Sequence, residues 1–180
     1  MAGQTVTDAF RRIFAEFEQQ ERDKHDMYLE VGRAIVSLSV IEEFMAAAFV
    51  ALSKPMAEDQ AGAMFYECQN ITHKLKLLDY AVMKSEWAAG KEKWPSLSAK
   101  IAKQIWMRND AAHSSLGFRY EKNAKKWHIK LQRQEFDRKK KEKDLEIADV
   151  QASAIELQEL CGVMRKFVVQ TLAYADFKIE

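Results

Sequence analysis

Apolar residues recur at steps of three and four along most of this chain, and that spacing constrains its fold more than any other feature. From Tyr28 the stripe runs through Val31, Ile35, Leu38, Ile41, Met45, Phe49 and Leu52, which puts all eight on one side of a helix about seven turns long. Lys54 precedes Pro55, whose ring disfavours helical geometry in the residue before it, so this helix is expected to end near Lys54. Ahead of it, Phe10, Ile13, Phe14 and Phe17 share a face of a first helix expected to start after Thr7, a residue suited to capping. Residues 1–26 therefore read as an N-terminal helical extension.

A further stripe, Met64, Cys68, Ile71, Leu75, Leu78 and Val82, closes before Ala89-Gly90, and Gly90 suits a helix exit. Pro95 fits the first turn of a helix carrying Leu97, Ile101, Ile105 and Arg108 on one side, so both prolines are expected between helices. After Gly117 the period drops from 3.6 to 2. Phe118 and Tyr120, then Trp127, Ile129 and Leu131, alternate with polar residues, so 117–133 reads as a hairpin and 134–145 as a charged connector. Val150, Ala154, Leu157, Cys161, Met164, Val168 and Leu172 mark the last helix. The expected fold is all-α, an antiparallel helical bundle with a short β-hairpin inserted before the last helix, in one domain over 1–180.

A chain of 180 residues with ten Phe and four Trp can bury a core without disulfide or metal staples. Cys68 and Cys161 fall on apolar faces of expected helices, where a free cysteine acts as a small hydrophobe. His25, His73, His113 and His128 make no spacing with cysteine or carboxylate that resembles a metal site, and no Gly-rich phosphate loop or nucleophile elbow occurs. No cofactor is expected. The longest run without charge, Phe44 to Ser53, is well short of the roughly 20 residues that span a bilayer, and Arg11, Arg12 and Glu16 interrupt any secretory signal. The expected location is the cytoplasm, without a membrane partner.

The formal net charge of +1 hides an asymmetry. Residues 122–143 hold ten basic against three acidic side chains, leaving the rest of the chain at −6. Lys122, Lys125 and Lys126 in this segment are candidate contacts for a polyanion, with Tyr120 or Trp127 as stacking surfaces. The competing reading is a solvated hairpin whose Trp127 faces the core with Ile129 and Leu131.

The run that carries chemistry is Arg108-Asn109-Asp110-Ala111-Ala112-His113. Arginine offers a permanent positive fork, asparagine offers neutral donors and an acceptor, and histidine exchanges a proton near neutral pH. Asn109 and His113 are four residues apart, about 40° on an ideal helix, and share a face. Arg108 and His113 are about 140° apart. Bringing them together requires a helix that loosens near Ser114, or a second copy that supplies the missing group across a two-fold axis. In the bland alternative, Arg108 satisfies helix carbonyls and His113 answers the helix dipole. Glu42, at the edge of a buried face, is a candidate to orient Arg108.

An Arg-Asn-x-x-x-His run closing the penultimate long helix of a bundle resembles the HEPN superfamily, small helical proteins that are commonly dimeric and in many cases ribonucleases. The hexapeptide carries the specific match. The segments Ser37-Leu38-Ser39-Val40-Ile41-Glu42 and Thr72-His73-Lys74-Leu75-Lys76-Leu77-Leu78 match only in helical character. The resemblance implies a homodimeric endoribonuclease that needs no metal and cuts RNA by attack of the ribose 2′-hydroxyl, in a toxin–antitoxin or phage-defence setting. It implies His113 as general acid or base, Arg108 as the group stabilising phosphate charge, and Asn109 as a positioning group. An antitoxin or other regulatory protein would be a further partner. Ser115 stands where relatives paired with nucleotidyltransferase antitoxins often carry tyrosine, which argues against that mode of inhibition. In a noncatalytic relative the same cleft would hold RNA, a nucleotide or a protein partner.

Overall fold

In the computed structural model, the described residues are 2–121, 126–133 and 145–175. The molecule is predominantly helical. Helix α1 spans Ala2–Leu52, α2 Glu58–Glu67, α3 Ile71–Lys84, α4 Ala88–His113 and α5 Ile147–Tyr174. Strands β1 (Ser114–Glu121), β2 (Lys126–Arg133) and β3 (Leu145–Glu146) form a small antiparallel sheet between α4 and α5, in the order β1-β2-β3.

The expected first and second helices are one. α1 runs 51 residues, about 75 Å at 1.5 Å per residue. No proline interrupts it, and the polar stretch between the two apolar stripes carries its own support. Gln19 Nε2 donates to Asp23 at 2.6 Å, Arg22 donates to Gln19 at 3.1 Å, and Arg22–Glu18 and Lys24–Glu21 are ion pairs at 3.9 and 3.7 Å. Such pairs stabilise a helix by about 0.2–0.5 kcal/mol each. The buried face of α1 starts at Met27 and continues through Ala34, Leu38, Ile41, Met45, Ala48 and Phe49, whereas Tyr28 is exposed rather than core.

The expected third helix is two. Cys68 ends α2 instead of lying within a helix, and the Asn70 side chain caps α3 by accepting from the Thr72 backbone N–H at 2.8 Å. A cap of this kind starts a new helix where the apolar stripe alone would have continued the old one. Met64 is consequently exposed, while Ala61 and Phe65 carry the buried side of α2.

Gly90 is not a helix exit, and Pro95 lies inside α4 rather than in its first turn. A Cβ on Gly90 would meet the Trp87 ring at 2.1 Å, so this glycine lets the start of α4 close on that indole. Trp87 stacks on Tyr174 with centroids 5.7 Å apart and packs on Phe167 at 5.1 Å. Phe167 also meets Trp94 at 5.1 Å. The Trp94 indole N–H donates to Asp79 at 2.6 Å, and Ser98 donates to the same carboxylate at 2.8 Å, which fastens α4 to α3.

Long-range contacts fix the helix directions. Cys161 Sγ donates to the Ser37 carbonyl at 3.3 Å and Lys54 Nζ donates to the Ala175 carbonyl at 2.6 Å, so α1 and α5, the most extensively packed pair, run parallel. Lys93–Gln170 and Lys103–Glu156 contacts make α4 antiparallel to α5. The expectation of an antiparallel bundle therefore describes α4 against its neighbours but not α1 against α5. Lys74 pairs with Glu42 across α3 and α1, with its ammonium 5.4 and 5.2 Å from the Phe65 and Tyr66 ring centroids.

In the sheet, Leu116, Phe118 and Tyr120 stand opposite Leu131, Ile129 and Trp127. Leu131 is buried. Pairing begins at Ser114, three residues before the expected start, and Leu145 pairs with Leu131 to add a third strand.

Candidate functional site

α4 carries Arg108, Asn109 and His113 in its final two turns and stays helical through His113, the residue before β1. The helix does not loosen between Arg108 and His113, so about 140° of rotation separates these positions within one chain. Asn109 and His113 keep a common face.

One turn before Arg108, Gln104 is fully buried and locks α4 to α5. Ser153 Oγ donates to Gln104 Oε1 at 2.5 Å, and Gln104 Nε2 donates to Glu156 Oε2. Lys103 Nζ reaches Glu156 Oε1 at 3.4 Å from the solvent side. These side chains escaped the sequence reading because Gln104 lies next to Ile105, inside a stripe assigned by its apolar members. A polar residue three positions after Ile101, matched by Ser153 three after Val150 on the facing helix, was the available signal.

Glu42, the candidate to orient Arg108, has its carboxylate engaged by Lys74. Gln104 is level with Ser153, eight residues before Cys161, which is level with Ser37, so Gln104 sits near residue 29 of α1.

Lys122 and Lys125 and the connector 134–144 lie outside the described residues; Lys126 is the first residue of β2. His25 and His73 are exposed, and no cluster of three or more metal-ligating side chains exists among the described residues. Cys161 is half-buried, and burial pushes its thiol above the ordinary value although its contact with Ser37 pulls the other way. A cavity of about 580 Å³ opens at the opposite end of the bundle, lined by Phe49, Leu52, Leu77, Tyr80 and Tyr174 among others. It lies far from the hexapeptide, and its mainly apolar wall offers no acid–base pair.

Within Phe10–Leu52, α1 is long and apolar enough to cross a bilayer by length and composition. Its most apolar part contains the buried Ala34, Leu38, Ile41, Met45 and Phe49, so packing against α3 and α5 accounts for that composition. Comparison of the chain with models of protein families, with curated proteins and with solved structures finds no match.

Proposed function

We propose that this protein is a metal-independent endoribonuclease of HEPN type, acting as a homodimer whose cleavage site is shared between two α4 ends. The observation that carries this reading is the position of the hexapeptide. It closes a long helix at one end of the bundle, one turn after the buried Gln104–Ser153–Glu156 link that holds α4 against α5.

The intact helix supports a shared site. With Arg108 and His113 about 140° apart on one α4, an arginine from one copy and a histidine from the other meet more readily across a two-fold axis. In that arrangement His113 removes the proton from the ribose 2′-hydroxyl, or returns one to the leaving 5′-oxygen. Arg108 offsets the charge that builds on the phosphate oxygens, and Asn109 holds the phosphate or the imidazole in place. The alkoxide attacks phosphorus, the bond to the 5′-oxygen breaks, and a cyclic phosphate remains. The basic segment from Lys122, which follows the motif in sequence, attracts the polyanion through its charge. Toxin or phage-defence use, control by a regulatory protein and a cytoplasmic location belong to the same proposal.

The test incubates purified protein with RNA in excess chelator and analyses the ends formed. Cyclic-phosphate ends from the native protein, and none from Arg108→Ala or His113→Ala variants that remain folded, support the reading. RNA left intact by the native protein refutes it for the RNAs offered.

A further inference from the structure

Residues 8–26 of α1 bury no side chain among those described: each is exposed or half-buried, and the first buried residue is Met27. On this arm Phe10, Ile13, Phe14 and Phe17 are 58, 61, 66 and 60 % exposed. The four fall within an arc of about 100°, and that arc is rotated roughly 100° from the face that Met27, Ala34, Leu38 and Met45 turn to the core. The arm's apolar face is therefore separate from the one that builds the bundle. Monomeric proteins seldom leave so contiguous an apolar patch in water.

We propose that this face binds the same face of a second copy, with the two arms antiparallel. The spacing is symmetric about the midpoint between Ile13 and Phe14: a two-fold axis there sets Phe10 against Phe17 and Ile13 against Phe14 of the other copy. The charges follow the same axis. Arg11 and Glu18 lie on one flank of the apolar arc, and Glu16 lies on the other. Antiparallel pairing brings each flank against its own counterpart, placing Arg11 of one copy near Glu18 of the other with an axial offset of about 3 Å. A parallel pair would set Glu16 near Glu18 of the other copy, like against like. Within one arm, Arg11 and Glu18 make only loose, exposed pairs, at 3.8 Å with Asp8 and 3.9 Å with Arg22. At roughly 100–130 Å² of exposed surface per apolar side chain, the two copies together offer about 900 Å² of apolar surface to the pairing. The flanking side-chain stems bring this near the 1,200 Å² at which specific interfaces begin.

This pairing does not depend on the ribonuclease reading. His113 is level with about residue 20 of α1, so arm pairing alone leaves the two α4 ends on the order of 20 Å apart along the arms. A shared Arg108–His113 site would need its own contact between bundle ends, and the arms would then join two such dimers.

The experiment measures the mass of the full chain by analytical ultracentrifugation. Phe14→Glu combined with Phe17→Glu is expected to halve the mass of the native assembly while leaving the thermal transition of the bundle unchanged. Two charge variants then test self-recognition: Arg11→Glu in one chain, and Glu18→Arg in another. Each alone should fail to pair through the arm, and an equimolar mixture should recover the native mass. In a background with Cys68 and Cys161 replaced, a spin label at Asp26→Cys should read about 40 Å between copies, against under about 20 Å for a parallel pair. A monomeric native protein, an unchanged mass in the Phe14/Phe17 variant, or failure of the mixture to recover overturns the proposal. So does a monomer whose arm binds anionic phospholipid vesicles.

Discussion

Replacing Gln104 with leucine tests how firmly the motif helix is anchored. Leucine nearly preserves the volume, so the cost falls on hydrogen bonding rather than on a cavity. Ser153 is buried and loses its acceptor, which costs about 1–2 kcal/mol for an unsatisfied hydroxyl. Glu156 loses a donor but is only half-buried and keeps Lys103 nearby, so water limits that loss to about 1 kcal/mol. The expected destabilisation is therefore about 2–3 kcal/mol, read as a lower urea midpoint at constant slope and a fall in Tm of roughly 5–10 °C. The internal control is Ser153→Ala in the Gln104→Leu background. Removing the orphaned hydroxyl should return about 1 kcal/mol, a non-additivity expected of residues in direct contact. A Gln104→Leu protein within about 0.5 kcal/mol of native, or a double variant no more stable than the single one, would refute the network as described.

The Lys74–Glu42 pair should behave asymmetrically. Glu42→Ala strands a buried ammonium between α1 and α3 and is expected to cost about 3–5 kcal/mol, whereas Lys74→Met combined with Glu42→Gln should stay within about 1 kcal/mol of native, both read by denaturant titration. Cys161 predicts a pH dependence of definite sign. Burial raises its folded thiol value, so its contribution is fully present below the unfolded thiol value of about 8.5 and is lost as pH rises through the folded value. The stability difference between native and Cys161→Ala proteins should therefore narrow as pH rises above the unfolded thiol value; a difference that stays constant in alkaline solution would refute the thiol's contribution.

The helical character, the strand period after Gly117 and most of the α4 and α5 core stripes were legible in the sequence. Periodicity reports which side of an element is buried, and Leu97, Ile101, Leu157 and Met164 are buried as their spacing requires. It does not report where one helix stops. The Phe10–Phe17 and Tyr28–Leu52 stripes read as two helices, whereas they are two apolar faces of different phase on one uninterrupted α1. The opposite error came at Cys68, where a continuous stripe concealed a break set by Asn70 acting through a local cap. Gly90 and Pro95 carried the usual boundary signals, overridden by the indole of Trp87 and by the packing of α4 on α3 and α5. For the candidate site, the helix bearing Arg108, Asn109 and His113 and its period were readable. The Gln104 anchor was not, because it depends on which residue of a distant helix faces it.

The most direct measurement of the central claim is complementation between dead copies. Arg108→Ala and His113→Ala proteins, each inactive alone, are mixed under subunit exchange and given RNA in excess chelator. A site shared across a two-fold axis predicts cleavage with cyclic-phosphate ends at about one quarter of the native rate, since about half of the dimers are mixed and each of those holds one intact site of two. A native protein that leaves RNA intact, or cuts it only with a divalent metal, contradicts the account. So does a mixture of folded, exchanging variants that remains inactive beside an active native protein, because the site would then lie within one chain.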